Sequence, residues 1–262
     1  MSKTAQLDSV AAPTERADYS ARASSERPSS LVVATMEHWW VYLIPVALAL
    51  AAYAVVPYDG WLAHPDRFAS LPGDLIRIAE LSELFAHGFG VVVVAVGVYL
   101  LAPKSRVTIP RFVACAFWPG IVAQVLKFQF ARIRPILYFD AQSQVNFPSD
   151  LTSTWLGWFY NSKLNTIYVQ QSFPSAHTAT VWGLAIGLSC VFPRGKYLFV
   201  FVAALASLQR VVGYAHWPSD VLAGAAVGIL CAGALQQNWG LGWLLGRLEA
   251  KLSGKNGVTS TQ

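Results

Sequence analysis

The chain has 262 residues, of which 55% are hydrophobic and only 13% are charged, and its formal net charge is +5. A soluble domain carries about 25% charged residues, so this composition excludes an ordinary soluble enzyme and predicts a multi-pass membrane protein. The positive charge does not indicate a nucleic-acid partner, because lysine and arginine collect on the cytoplasmic loops of membrane proteins. We therefore predict membrane lipids, and no nucleic acid, as the surroundings of this chain.

The hydrophobic residues are concentrated in six stretches that follow a polar N-terminal segment. Residues 1–35 lack apolar periodicity, which is typical of a disordered tail. The six stretches approach the ~20 residues that cross a bilayer core, so residues 36–238 are expected to form a six-helix membrane domain. Residues 239–262 are expected to be an amphipathic or disordered tail, with a continuation of the sixth helix as the alternative. The predicted spans are residues 39–57, 84–102, 112–130, 177–192, 197–214 and 221–235.

The charges of the connecting loops predict how these spans are oriented. The second connection carries Lys104, Arg106 and Arg111, the fourth carries Arg194 and Lys196, and neither carries an acid. By the positive-inside rule, both connections and both chain termini are cytoplasmic. We therefore expect an all-α, polytopic protein of the bacterial inner membrane. Its six transmembrane helices would form a core bundle, with an interfacial loop between the third and fourth spans.

Eight residues from three short motifs fall at the opposite, non-cytoplasmic ends of the predicted spans. They come from the end of the third span, the start of the fourth, the end of the fifth and the start of the sixth. Because consecutive spans are antiparallel, residues up to 93 positions apart are expected to meet on the periplasmic face. The eight residues are Lys127, Arg134, Ser175, Ala176, His177, Arg210, His216 and Asp220.

The cations of this set suit a phosphate group. A phosphate monoester carries nearly two negative charges, and Lys127, Arg134 and Arg210 would supply three cations, of which the guanidinium groups can each hold two oxygens. Ser175 stands at a predicted helix start, where backbone N–H groups bind anions, and Ala176 keeps that backbone close to the ligand. The alternatives are ordinary ones, since basic residues at span ends also reach toward lipid headgroups and serine commonly caps helices.

Two histidines and an aspartate supply the reacting groups. Asp220 follows His216 by four positions, so its carboxylate is expected to accept a hydrogen bond from that ring and leave the other nitrogen free to attack phosphorus. His177 is expected to protonate the departing alkoxide and then to activate the water that cleaves the phosphohistidine. No metal and no cofactor is predicted, because the cations already stabilise the charge on the phosphate.

At these positions the chain resembles the type 2 phosphatidic acid phosphatase superfamily, whose signature is Lys-x6-Arg-Pro, Pro-Ser-Gly-His and Ser-Arg-x5-His-x3-Asp. The first part is complete here, whereas Ala176 replaces the glycine of the second part and Gln209 the serine of the third. Neither replacement removes a reacting group, so activity is expected with an altered fit to the substrate. The resemblance covers about residues 80–235 and implies the nucleophile, acid and phosphate-binding roles given above.

The sequence leaves the substrate and the exact reaction open. A lipid phosphate phosphatase is the leading interpretation, with phosphatidic acid, phosphatidylglycerophosphate, polyprenyl diphosphate and the phosphates of lipid A as candidate substrates. A lipid phosphotransferase with the same site is the close alternative. A non-catalytic lipid-binding scaffold is a weaker one, and a haloperoxidase is disfavoured because those proteins are typically soluble. The sequence does not predict an oligomeric state.

A long segment separates the third and fourth predicted spans and is rich in aromatic residues. It contains Trp155, Trp158, Phe159 and Tyr160. A loop of this length in a compact domain is usually functional or mobile, and aromatic side chains anchor at the bilayer interface. We expect this segment to lie on the interface and to border the path of the substrate.

Overall fold

The structure is a computed structural model that describes residues 40–142, 154–158, 171–237 and 239–254. The predicted disordered tail, residues 1–35, and the last eight residues of the chain lie outside this part. The helices are α1 (Trp40–Val55), α2 (Asp59–Leu62), α3 (Pro65–Phe68), α4 (Gly73–Ser82), α5 (Gly88–Leu101), α6 (Ile109–Lys127), α7 (Pro135–Gln142), α8 (Ala176–Val191), α9 (Lys196–Val212), α10 (Pro218–Leu235) and α11 (Gly240–Leu252). Short 3-10 turns span Val56–Tyr58, Glu83–Ala86, Pro103–Thr108 and Pro193–Gly195.

Several of these helices are suited to crossing a bilayer. Four segments of the described chain are long and apolar enough, namely Val41–Leu62, Pro103–Lys127, Pro193–Val212 and Pro218–Leu235. A fifth crossing results if Gly73–Ala86 and α5, which are bent by 76° to each other, count as one span. Helix α8 is apolar but has only 16 residues, fewer than the ~20 that cross a bilayer core. A mostly helical membrane architecture is thus confirmed, while the count of six spans stays a prediction.

The helices lie within a few residues of the predicted apolar stretches, except near the second one. That stretch was expected to begin at residue 84, yet the regular helix begins at Gly88, after the 3-10 turn Glu83–Ala86. The acid-rich first connection also contains α4, whose Ala79 and Ser82 are buried while its other positions are mostly exposed. No helix was predicted in this connection, because its charged residues interrupt the apolar pattern.

Helix α8 lies at the centre of the bundle and packs against α6, α9 and α10. Glycines allow the close approach of these helices. A Cβ atom at Gly183 of α8 would lie 2.0 Å from the carbonyl oxygen of Cys115 in α6. A Cβ atom at Gly224 of α10 would lie 2.5 Å from the carbonyl oxygen of Ser175. Small residues serve this purpose in membrane bundles, where tight packing rather than water exclusion holds helices together. The start of α8 is thereby pressed against α10.

A small antiparallel sheet covers the end of the bundle that follows α6. Strands β1 (Phe130–Arg132) and β2 (Trp155–Trp158) pair with Ala131 opposite Gly157. The predicted interfacial loop is described only at α7 and β2, and Phe159 and Tyr160 lie outside the described residues. The ring centroid of Trp155 lies 4.4 Å from the Arg132 guanidinium carbon, a contact that does not show whether the ring reaches the bilayer interface. The loop's position at the interface therefore stays a prediction.

The other end of the bundle is fastened by a buried arginine. Arg111, at the start of α6, forms two hydrogen bonds of 2.8 and 2.9 Å with the Glu249 carboxylate of α11 and donates to the Leu235 carbonyl at 2.7 Å. Helix α11 is separate from α10, so the sixth helix does not continue through residue 252. Leu241, Leu244 and other apolar side chains of α11 are exposed, as in an interfacial amphipathic helix.

Candidate active site

Four helix ends converge to form the candidate site. Lys127 ends α6, Ala176 begins α8, Arg210 lies in the last turn of α9, and Asp220 lies in the first turn of α10. Because these helices pack as antiparallel neighbours, the four ends lie at the same end of the bundle. The end with Arg111 and α11 is the opposite one. The structure therefore brings together the three separated motifs.

A tight turn between α9 and α10 places His216 beside Arg210. The backbone N–H groups of Ala215 and His216 both donate to the Arg210 carbonyl, at 3.1 and 3.0 Å. Tyr214 has φ of 53°, in the left-handed region that is costly for a residue with a side chain. Its carbonyl accepts from the Ile136 N–H at 3.0 Å, and its ring packs on Phe68. These contacts hold the strained turn and with it the position of the imidazole.

The His216 ring is fully buried, and its hydrogen bonds define its tautomer. Nδ1 lies 2.7 Å from the Ser172 carbonyl oxygen, which can only accept, so Nδ1 carries the proton. Nε2 lies 3.4 Å from Nη1 of Arg134 and therefore presents its lone pair. The predicted partner was Asp220, but its carboxylate lies 3.8 Å from Nδ1, beyond hydrogen-bond distance. The backbone of Ser172 holds the ring in the arrangement that was expected from Asp220.

The surroundings of His216 also favour its neutral form. Burial, assisted by the charges of Arg134 and Lys127, lowers the pKa of the His216 imidazole to about 4, although the Asp220 carboxylate acts in the opposite direction. The unprotonated Nε2 that a nucleophile requires is therefore the resting form at neutral pH.

Asp220 belongs to a buried ionic network behind His216. Its carboxylate accepts from Nη1 of Arg132 at 2.5 Å, from the Ser172 hydroxyl at 2.5 Å and from the Trp217 N–H at 3.0 Å. Nη2 of Arg132 donates to Asp59 at 2.6 Å. Asp59 also accepts from the backbone N–H and the hydroxyl of Ser219. A buried charge is costly unless paired, and these pairings tie β1, α2 and α10 together.

Lys127 and Arg134, the two cations of the first motif, lie near the His216 imidazole. Arg134 is buried and donates from Nη1 to the Ala215 carbonyl at 2.8 Å, besides its contact with His216. Lys127 is 6% exposed, and no residue of the described chain forms a hydrogen bond or ion pair with its ammonium group. It interacts electrostatically with Arg134, Asp220 and Arg210. Like charges held so close and in a buried site favour the binding of an anion between them.

Ser175 stands at the start of α8, where it was predicted to help bind an anion or, alternatively, to cap the helix. The Ser175 hydroxyl accepts from the Thr178 N–H at 3.3 Å, so it caps the helix. Its own N–H donates to the Asp220 carbonyl at 3.1 Å, which fixes the helix start against α10. Ala176 is the first helical residue, and His177 follows it. His177 interacts electrostatically with Arg210, His216 and Lys127, which places both imidazoles in the same cluster.

Arg210 has a carboxylate partner that the sequence analysis did not identify. Its Nη1 forms an ion pair with Glu83, and Glu83 lies 3.2 Å from Nε2 of His87. The His87 and His177 rings meet edge to face, with 4.6 Å between their centroids. Among the described residues, Glu83, His87 and His177 are also the set whose ligand atoms lie within 4.8 Å of one another, as a metal would require. The Arg210 cation on the same carboxylate opposes a divalent ion there.

A cavity of about 300 Å³ adjoins this cluster. His87 and His177 line one part of it, and Phe117 and Ile121 of α6 line another. Phe117 and Ile121 are 38% and 53% exposed, on a helix that is apolar enough to face lipid. The cavity thus connects the polar cluster with the apolar side of the bundle.

Five residues of this centre were missed from the sequence: Asp59, Glu83, His87, Arg132 and Ser172. Glu83 and Asp59 lie in the connection between the first two predicted spans and belong to none of the three motifs, yet each pairs with a buried arginine. Arg132 lies between Lys127 and Arg134, and an extra cation inside an apolar segment is a signal that a counter-charge must be found elsewhere. Nothing in the local sequence pattern identifies the Ser172 carbonyl as the partner of His216.

Comparison with known proteins bears on the same residues. The family model of the PAP2 superfamily matches residues 108–241. A lipid A 1-phosphatase of Rhizobium etli is 31% identical over 109 residues, which are 42% of this chain and 40% of that protein. A lipid A 4'-phosphatase of Bacteroides thetaiotaomicron is 42% identical over 59 residues, 21% of this chain and 26% of that protein. These alignments span less than half of either relative.

Among solved structures, Aquifex aeolicus LpxE is similar with a TM-score of 0.45 and 18% identity, over 65% of this chain and 89% of that one. The family match is the more informative finding. It covers just over half of the chain, and all eight residues singled out from the three motifs fall inside it. The resemblance that those motifs indicated is confirmed, and the chain belongs to the PAP2 superfamily.

Proposed function

We propose that this protein hydrolyses a phosphate group from a membrane lipid through a phosphohistidine on His216. The observation that carries the proposal is the convergence of Lys127, Arg134 and Arg210 with the two imidazoles at one end of an apolar bundle. The cations supply a site for a dianion, and the cavity beside His177 leads toward lipid-facing side chains. A soluble phosphate ester would also need the cations, but it would not need a cavity that leads to lipid-facing side chains.

In the first step, Nε2 of His216 attacks phosphorus while the lipid oxygen departs. Nδ1 keeps its proton and donates it in a hydrogen bond to the Ser172 carbonyl oxygen. This acceptor stabilises the positive charge that develops on the ring. Asp220 contributes from 3.8 Å by its charge, and it holds Ser172 through the serine hydroxyl. The bound phosphate dianion favours protonation of the neighbouring His177 ring. In that form His177 gives its proton to the lipid oxygen as the P–O bond breaks.

In the second step, a water molecule replaces the lipid. His177, now neutral, takes a proton from the water, whose oxygen attacks phosphorus as the P–N bond to His216 breaks. Inorganic phosphate leaves, and His216 returns to its neutral form. Lys127, Arg134, Arg210 and the backbone N–H groups near Ser175 stabilise the equatorial oxygens in both steps. This chemistry uses side-chain and backbone groups of the chain together with one water molecule.

We propose a phosphate of lipid A as the first substrate to test, because relatives that this chain is similar to are lipid A phosphatases. Phosphatidic acid, phosphatidylglycerophosphate and polyprenyl diphosphate present the same reacting group and form the comparison set. The proposal also places the site on the periplasmic face of the bacterial inner membrane. Lys104, Arg106, Arg194 and Lys196 lie at connections of the opposite end, where the positive-inside rule places the cytoplasm.

The activity is tested with purified protein in detergent micelles and each of these lipids. The proposal predicts phosphate release by the wild type and a loss of about 10⁴-fold or more in His216→Ala. His64→Ala is the matched control, since His64 is an exposed histidine outside the cluster. If the wild type and His216→Ala release phosphate equally slowly, the phosphatase proposal is wrong and a non-catalytic, lipid-binding scaffold is the remaining interpretation. Consumption of lipid that releases phosphate only to an added acceptor lipid would instead identify a phosphotransferase.

Sidedness is tested in intact spheroplasts with cysteines introduced one at a time into a variant whose three native cysteines, Cys115, Cys190 and Cys231, are replaced by alanine. Ser70 is exposed near the site end, and Ser253 is exposed at the end of α11. A membrane-impermeant thiol reagent is expected to label Ser70→Cys in intact cells and Ser253→Cys only after lysis. The reverse pattern would place the site in the cytoplasm.

A further inference from the structure

The segment that precedes α5 supplies two residues to the site from outside the part of the chain matched by the family model. The 3-10 turn Glu83–Ala86 and His87 lie at the 76° bend before α5, whereas the match begins at residue 108. This bend aims the Glu83 carboxylate at Arg210 and the His87 ring at His177. The two residues thereby touch the phosphate-binding cation and the proton donor of the proposed mechanism.

The guanidinium of Arg210 is only partly satisfied. Its side chain is 9% exposed, and Glu83 holds it through Nη1. Its Nε is buried and has no hydrogen-bond partner among the described residues. A buried N–H without a partner is costly and calls for an explanation. The edge of the guanidinium that carries Nε has the geometry to donate to two oxygens of one phosphate group.

Glu83 restricts how that edge can be turned. An ion pair on Nη1 restricts the rotation of the guanidinium, because the group is flat and rigid and turns as one unit. The carboxylate is itself held by His87, whose Nε2 lies 3.2 Å away. His87 in turn packs edge to face against His177. A continuous chain of contacts therefore runs from Arg210 through Glu83 and His87 to the imidazole that would move the proton.

We propose that Glu83 is a positioning residue for phosphate binding, which orients Arg210 so that its Nε edge faces the phosphate, and that His87 holds Glu83 in place. This inference rests on the proposed phosphate site and extends it to residues outside the family match. Glu83 does not touch the phosphate itself, since its own negative charge would repel a dianion. In the alternative role, Glu83 competes with phosphate for Arg210. Removing its charge would then tighten phosphate binding.

The test measures the binding of inorganic phosphate to detergent-purified protein by titration calorimetry, with no lipid substrate present. Glu83→Gln keeps the size of the side chain but removes its charge, and it is expected to weaken phosphate binding about tenfold or more. Glu80→Gln is the matched control, because Glu80 is an exposed acid on α4 whose side chain has no described contact with the site. It is expected to bind phosphate like the wild type. Heat denaturation in detergent is measured for every variant.

A double-mutant cycle with Arg210→Lys separates positioning from a general structural effect. If Glu83 acts through Arg210, then Glu83→Gln is expected to change phosphate binding much less in the Arg210→Lys background than in the wild type. Additive losses would overturn the proposal. If Glu83→Gln does not fold, the same cycle is run with Glu83→Asp, which keeps the charge on a shorter side chain and is expected to weaken phosphate binding by a smaller factor.

Besides additive losses in the double-mutant cycle, three results overturn the inference: unchanged phosphate binding in Glu83→Gln, tighter binding in that variant, and no phosphate binding by the wild type. Tighter binding would identify Glu83 as a competitor of the phosphate. Failure of the proposed function looks different. A wild type that binds phosphate but releases none from any lipid contradicts the phosphatase, whereas a loss of binding on Glu83→Gln in that same protein still supports the positioning role.

Discussion

Arg132 and Arg210 are both buried arginines near His216, yet their surroundings differ. Each of the three nitrogens of Arg132 has a partner, and the group donates to the Asp59 and Asp220 carboxylates at 2.6 and 2.5 Å. Arg210 is paired with one carboxylate, and its Nε has no partner among the described residues. A saturated cation of this kind stabilises the fold, whereas a cation with spare donors is ready for a ligand. The comparison separates the scaffold of the site from its binding surface.

Removing Arg132 is expected to have the largest effect on stability. Arg132→Met leaves Asp59 and Asp220 buried without their cation, which costs about 3–5 kcal/mol when one partner of a buried pair is removed. The measurement is heat denaturation in detergent, with exposed Arg77→Met as the control. A variant that denatures like the wild type but has lost phosphate binding would place Arg132 with the ligand-binding cations and break the comparison.

Arg210→Lys is expected to show the converse pattern. Lysine keeps the charge and its pairing with Glu83, but it replaces a two-pronged donor by a point charge. We expect kcat/KM for phosphate release to fall by about 10²–10³-fold, the typical loss when a donor to the developing charge is removed. The heat-denaturation midpoint should stay close to that of the wild type. Near-wild-type turnover would show that Arg210 does not bind the reacting phosphate.

A smaller loss of stability is expected from a substitution of Ser172, which contacts both Asp220 and His216. Ser172→Ala removes the hydroxyl that donates to Asp220 but keeps the backbone carbonyl that accepts from His216. Loss of a hydrogen bond to a charged group costs about 1.5–3 kcal/mol, so stability should decrease by that amount, with the His216 tautomer retained. Ser189→Ala, in which only a bond within α8 is lost, is the control. An equal loss in both variants would contradict a special role for Ser172.

The protonation state of His216 can be predicted and measured in the wild-type protein. The chain has five histidines, so nitrogen NMR of histidine-labelled protein can follow each ring, with His216→Gln assigning the signal. We expect a neutral ring with its proton on Nδ1 from pH 8 down to about pH 5, because burial lowers the pKa to about 4. In unfolded protein the same ring should titrate near 6.5.

The sign of the accompanying stability change follows from these two states. Between about pH 6.5 and pH 4 the unfolded chain binds a proton at His216 that the folded chain does not. The contribution of this ring to stability is therefore complete above pH 6.5 and is lost as the pH falls through that window. A ring that becomes charged near pH 6.5 in the folded protein would contradict its burial beside Arg134 and Lys127.

The sequence was sufficient to predict the residues whose spacing and hydropathy carry a signal. The positions of the apolar helices and the convergence of Lys127, His177 and His216 follow from antiparallel spans and motif spacing. The partner of His216 did not follow, because a spacing of four predicts proximity to Asp220 but cannot show that a backbone carbonyl lies closer. Asp59 and Glu83 were missed for a related reason, since loop charge does not reveal which acids become buried.

The most direct test of the account is to identify the group that carries phosphate during turnover. Wild type and His177→Ala are mixed with an aryl phosphate that has a good leaving group and quenched in alkaline detergent. The peptides are then analysed by mass spectrometry at alkaline pH. The account predicts phosphate on His216, with more accumulating in His177→Ala because the activation of water is impaired. Phosphate on another residue, or continued turnover by His216→Ala without a phosphorylated peptide, would contradict it.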